Sequence, residues 1–216
     1  RTPLNAILGF SQLLTLDTDQ PLSAVQKENT GRILNAGHHL LTLVNDVLDL
    51  SRIETGALEI KIEDCSLQGA LDEAMMLVRS LAEQKGIGMK ADWLKEETLF
   101  VLADRARLVQ VILNLLTNAI KYNKEAGTVA LSLEMIDDKK VRIHIEDTGM
   151  GIPKEMTEDI FEPFARLDRD KIKVEGVGIG LSITKQLLDT MNGVISVEST
   201  LGEGSCFTVE LPLANI

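Results

Sequence analysis

The stretch RARLVQVILNLLTNAIKYNKEAGTVALSLEMIDDKKVRIHIEDTGMGI, residues 105–152, changes period partway along, and that change sets the fold class. In its first third Leu108, Val111, Ile112, Leu115, Ala119 and Ile120 recur at helical steps, which predicts a helix with one buried side. From Thr128 the apolar residues alternate instead, through TVALSLEMI and again through VRIHI. This predicts two strands joined by a turn at Asp137-Asp138. On another side of the helix Gln110, Asn114, Asn118 and Lys121 step by four, four and three into one polar stripe. Asparagine is a poor interior helix residue, so two of them one turn apart are either simply solvated or serve a ligand. Their carbonyls suit a hard cation such as Mg2+, with Lys121 available to a phosphate on the same face.

The second strand delivers Asp147 to its end, where Gly149 and Gly151 permit positive φ and close backbone approach. DTGMG is an ordinary turn, or else an aspartate placed to accept from the exocyclic amine of a base. A second glycine run, GVGIGLSI at 176–183, opens a helix at Ile179. Gly176, Gly178 and Gly180 would present backbone amides to phosphate oxygens at its positive end. It is not a P-loop, because no Gly-Lys-Ser/Thr follows, and no acidic residue stands about 20 positions on as a dinucleotide fold requires. Between the runs lies FEPFARLDRDKIKVE, residues 161–175, where Arg166, Arg169, Lys171 and Lys173 form a positive cluster in an acidic chain. That is either a solvated loop or a lid over a polyphosphate.

Outward from this centre, helices are expected at about 67–85 and 179–191, and strands at about 99–103, 193–198 and 205–211. Leu58, Ile60 and Ile62 alternate as a further strand. Residues 1–54 read as helical throughout, broken by DTDQPLS with Pro21, with Ser23 or a neighbour starting a second helix and Gly56 ending it. In that second helix Ile33, Gly37, Leu40, Val44 and Val47 form a heptad seam beside Leu34, Leu41 and Leu48. Two helices this apolar cannot bury their faces in one hairpin, so pairing with a second copy into a four-helix bundle is expected through residues 1–54. His38 and His39 flank the seam and read as rim residues, and His144 as a polar-face strand residue. The fold class is α+β: an antiparallel helical hairpin, residues 1–57, followed by an α/β sandwich on a mixed, largely antiparallel sheet, residues 64–216.

Hydrophobic residues make up 44% of the 216, enough for a core, and only 3% are aromatic, so the core is aliphatic. A formal charge of −11 argues against broad binding of nucleic acid or anionic membranes. No apolar run reaches the length of a membrane span, and no signal peptide is evident. Cys65 and Cys206 stand alone and read as buried free thiols, which implies a reducing, cytoplasmic setting.

NLLTNAIKYN, EDTGMGI, FEPFARLD, GVGIGLSI and GEGSCFTVELP, in this order and spacing, resemble the N, G1, F, G2 and G3 boxes of sensor histidine kinases. RTPLNAILGFSQLL resembles the tail of that family's H box. The resemblance covers essentially the whole chain. It implies a dimerisation and phosphotransfer hairpin followed by an ATP-binding sandwich of the kind that gyrase and heat-shock chaperone ATPases share. It also implies transfer from Mg-ATP to a histidine and then to an aspartate on a response-regulator receiver domain, with a membrane reached only through segments outside these residues.

Carried over by position, the resemblance gives Asn118 to Mg2+, Asn114 and Lys121 to the phosphates, and Tyr122 to the neighbourhood of the nucleotide. Asp147 would read the adenine amine, helped by Thr208 through water. Gly149, Gly151 and Ile152 would shape one side of the pocket, and Gly176, Val177, Gly178, Ile179, Gly180 and Leu181 the other. Phe164 with Arg166, Arg169 and Lys173 would belong to the lid. Val177 stands where the family often has threonine, a change that leaves the backbone amide intact. The H box of the family reads His-Glu-x-Arg-Thr-Pro-Leu and this chain opens at its Arg, so the phosphoacceptor is expected ahead of Arg1. Thr2 then lies one turn after it, where the family orients water for dephosphorylation of the regulator. Two rivals stand: a plain ATPase of the gyrase and chaperone class, which carries glutamate at the position of Asn114, and a dimeric pseudokinase scaffold.

Overall fold

A capping box sets the start of the long N-terminal helix in the computed structural model, which describes residues 2–92, 98–165 and 178–214. Ser23 Oγ accepts from Gln26 N at 3.4 Å while Gln26 Oε1 accepts from Ser23 N at 2.9 Å. Helix α1 spans Thr2–Leu16 and α2 spans Ala24–Glu54, ending where Gly56 takes φ +65. They form one unit, Arg1–Ala57. Leu8 is buried over Gly37, where an added Cβ would stand 2.7 Å from its Cδ2, so the glycine admits the close approach of the two helices. The rest of the seam stays open within one copy: Ile33, Leu40 and Val47 are about half exposed, at 48%, 50% and 49%. Ile7, Phe10 and Leu13 on α1 are exposed as well.

The second unit, Leu58–Ile216, is built on a five-stranded sheet. Its elements begin with β1, Glu63–Ser66, then α3, Leu67–Gln84, β2, Gly88–Asp92, and β3, Phe100–Ala103. Helix α4, Arg105–Lys121, precedes the hairpin of β4, Thr128–Asp137, and β5, Lys140–Asp147. Helix α5, Gly180–Thr190, is followed by β6, Val194–Thr200, and β7, Gly204–Pro212. The sheet order is β2-β4-β5-β7-β6, with β2 parallel to β4 and the other pairs antiparallel, while β1 and β3 pair separately. One face of the sheet carries Val129, Leu131, Val141, Ile143, Ile145, Val209 and Leu211, all buried. Helices α4 and α5 lie on the sheet, and α3 packs beside α4. The result is a two-layer sandwich.

Two expectations fail for physical reasons. Leu58, Ile60 and Ile62 alternate but form no strand; pairing begins at Glu63, and Lys61 N is instead held by Asp104 Oδ2 at 3.1 Å. Strand β2 was not expected, because an edge strand exposed at four of its five residues has no apolar alternation to display. Cys65 is buried as expected, whereas Cys206 is only half-buried; both are free thiols.

Candidate functional site

The polar stripe of α4 survives folding. Gln110, Asn114, Asn118 and Lys121 are all half-buried, while Leu108, Ile112, Leu115 and Ile120 on the core side are fully buried. Asp104 starts the helix by accepting from Arg107 N at 3.1 Å, and Tyr122 N ends it on Asn118 O. Asn114 Nδ2 donates to Thr184 Oγ1 at 2.9 Å, and its Oδ1 lies where a Cβ on Gly180 would collide. The stripe is thereby tied to the first turn of α5. A carboxamide, unlike the glutamate that the plain ATPase rival carries at this position, cannot take a proton from water.

Strand β5 carries Asp147 to a site only 8% exposed. Burial pushes its carboxyl above the ordinary aspartate range, and hydrogen bonds from Gly149 N and from the N–H and hydroxyl of Ser205 pull it back. The turn that follows is locked to its neighbours. Met150 N donates to Tyr122 O at 3.1 Å, Gly202 N donates to Met150 O at 2.7 Å, and Ile152 N donates to Ser199 Oγ at 2.8 Å. Gly151 takes φ +68, a Cβ there would collide with Thr200 O, and a side chain on Gly149 would collide with Tyr122 O.

Helix α5 opens at Gly180 behind buried Ile179, and among the described residues no side chain caps its first N–H groups; Leu181 is half-buried. Phe164 N donates to Gly178 O at 2.9 Å, and both residues have positive φ, +66 and +79. This bond joins the described residues on either side of positions 166–177. Arg166, Arg169, Lys173, Gly176 and Val177 lie outside the described residues. Thr2 is exposed on α1 in the hairpin unit.

Thr208 is a correction. It pairs with His144, not with Asp147, and its hydroxyl shares a 3.1 Å hydrogen bond with the His144 ring on the opposite face of the sheet. His144 Nε2 meets Glu134 at 3.2 Å, consistent with its polar-face reading. The residue opposite Asp147 is Ser205. Ser199 was missed too: its hydroxyl lies 3.0 Å from that of Ser205 and bonds Gly204 O. Period-two alternation through Phe207 and Val209 puts Ser205 on the inner face, but only the β5–β7 register places it opposite Asp147.

A shallow hollow of about 220 Å³ at the ends of β5, β6 and β7 carries Glu146, Glu198 and Glu203. That carboxylate set would repel a polyphosphate.

Residues 103–215 match the profile described as Histidine kinase-, DNA gyrase B-, and HSP90-like ATPase, and residues 1–56 match the His Kinase A (phospho-acceptor) domain. The chain is a member of the sensor histidine kinases. This histidine kinase core is 37% identical to the Non-motile and phage-resistance protein of Caulobacter vibrioides over 99% of the chain and 26% of that protein. It is 36% identical to the Circadian input-output histidine kinase CikA of Synechococcus elongatus, over 98% of the chain and 28% of that protein. The chain thus spans about a quarter of the length of these relatives. The crystal structure of full-length ShkA in complex with AMPPNP matches all of the kinase core and 44% of that chain, with a TM-score of 0.83 and 36% identity. Histidine kinase ThkA in complex with the response regulator protein TrrA matches 98% of the chain and 58% of that chain, with a TM-score of 0.70 and 26% identity. Among the described residues no helix is long and apolar enough to cross a membrane.

Proposed function

We propose that the kinase core binds Mg-ATP between α4, the Asp147–Ile152 turn and the start of α5, and passes its γ-phosphoryl group to a histidine three residues ahead of Arg1. The observation that carries the reading is Asp147. It is a buried carboxylate at a strand end, kept ionisable by Gly149 N–H and Ser205, and it retains acceptor capacity for a base amine.

The donor set fits the ligand. Asp147 accepts from the adenine amine, the uncapped N–H groups at the start of α5 face phosphate oxygens, and Lys121 adds positive charge. Asn118 holds Mg2+ through its carboxamide oxygen, and Asn114 keeps α5 in place beside it through Thr184. The metal, when bound, neutralises phosphate charge during transfer. Positioning and charge, with no covalent step on the sandwich itself, are what this chain supplies.

The same reading makes residues 1–54 the homodimer interface, with the phosphoryl group passing on to the aspartate of a response-regulator receiver domain in the cytoplasm. Thr2, exposed on α1, would orient water in the reverse, phosphatase direction. The test is direct: the chain extended by His-Glu-Leu ahead of Arg1, incubated with labelled Mg-ATP, should acquire acid-labile, base-stable phosphate. Labelling at His38 or His39 instead would refute the placement of the phosphoacceptor.

A further inference from the structure

Asn123 directly follows the cap of α4 and belongs neither to the polar stripe nor to a glycine turn. Its Nδ2 donates to Ala119 O at 3.0 Å and to Thr128 O at 3.1 Å. Its Oδ1 accepts from Lys124 N at 3.0 Å and from Thr148 Oγ1 at 3.2 Å. The Thr148 hydroxyl accepts from Thr128 N at 2.9 Å, and its proton has Asn123 Oδ1 as the nearer acceptor, with Thr128 O at 3.5 Å the longer one. Two donors and two acceptor sites of one carboxamide are therefore all used. Aspartate lacks the donors, and glutamine reaches a methylene too far. A Cβ on Gly127 would occupy the same space as the Asn123 carboxamide.

Thr148 stands between Asp147 and Gly149, so the pair joins the end of α4 to the turn that carries the base-reading carboxylate. The backbone is apposed at the same place, where a side chain on Gly149 would meet Asn123 Cα at 3.0 Å.

We infer that Asn123 and Thr148 are positioning residues that set the spacing between Asp147 and the phosphate-facing end of α4, and through it the preference for adenine, without touching the nucleotide. The inference rests on the Mg-ATP reading above. Hydrogen bonds weaken steeply with misalignment, so a turn that drifts loses the base amine while the phosphates stay held at α4 and α5. A merely structural role would weaken every nucleotide alike.

The experiment titrates the full chain with Mg-ATP and with Mg-GTP, in the unaltered form and as Thr148→Val, Thr148→Ser and Asn123→Gln. Melting without nucleotide is recorded beside each. Thr148→Val keeps the shape and removes the hydroxyl; it should raise the Kd for Mg-ATP about tenfold and that for Mg-GTP no more than about twofold. Asn123→Gln should do the same, and Thr148→Ser should restore the original ratio. Should Thr148→Val not fold, Asn123→Gln is read in its place. A retained preference for ATP, or an equal loss of both nucleotides, overturns this inference alone. An unaltered chain that binds ATP no better than GTP overturns the base-site reading and this inference with it.

Discussion

Asn114 and Gly180 are in contact across α4 and α5: a Cβ on Gly180 would stand 2.5 Å from Asn114 Oδ1, while Asn114 Nδ2 donates to Thr184. The glycine thus serves the packing of two helices as well as any phosphate. Gly180→Ala should destabilise the protein by about 1–3 kcal/mol through overpacking. Asn114→Ala combined with Gly180→Ala should lose less than the sum of the two single changes, because removing the carboxamide relieves the collision. Thermal or denaturant unfolding of the three variants checks this; strict additivity would show that the contact carries no energy.

Asp147→Asn keeps the volume but removes the charge and turns one acceptor oxygen into an NH2 donor, and the remaining oxygen is engaged by Gly149 N. Affinity for ATP should fall about 10- to 100-fold, as for a lost hydrogen bond to a charged group, and affinity for GTP much less. Calorimetric titration of both nucleotides decides it, and near-normal ATP affinity would end the assignment.

The same carboxylate makes binding pH-dependent. Burial raises its pKa in the free protein, and only the ionised form is a pure acceptor. ATP affinity should therefore be highest above that raised value and should decline as pH falls through it, earlier than for an ordinary aspartate near about 3.9. In Asp147→Asn this limb of the profile should flatten. A profile unchanged by the substitution would place the titration elsewhere.

Asn118→Ala should abolish the dependence of ATP affinity on Mg2+, leaving titrations with metal and with chelator within about twofold of each other. A full Mg2+ effect in the variant would mean that the ion is held without Asn118.

In the hairpin unit, Val44→Asp places a charge on the seam whose neighbours Leu40 and Val47 stay half-exposed in one copy. If that seam is dry in a dimer, the unpaired charge costs about 3–5 kcal/mol and dissociates it. Light scattering should report a dimer for the unaltered chain and a monomer for the variant; two monomers, or two dimers, would move the interface away from this seam.

What the sequence determined by itself is what local periodicity and residue chemistry can encode. The switch from helical steps before Tyr122 to alternation after Thr128 places α4 and the β4–β5 hairpin, and Ser23 and Gly56 bracket α2 through their capping chemistry. The same local logic brings Asn118, Lys121, Asp147 and Gly180 into view as candidate binding residues, since each sits at a helix face, strand end or helix start whose character is readable from its neighbours. Tertiary structure alone decided which distant residues meet. Alternation separates Ser205 from Thr208 by face, but only the pairing of Asp147 with Ser205 across β5 and β7 shows which inner-face residue of β7 meets the carboxylate. Strand β2 is defined by parallel pairing to β4, and the four bonds of Asn123 by a loop and a strand folding back on it. Register and loop closure join residues far apart in the chain, and a side-chain pattern with a period of two or of 3.6 carries no record of that pairing.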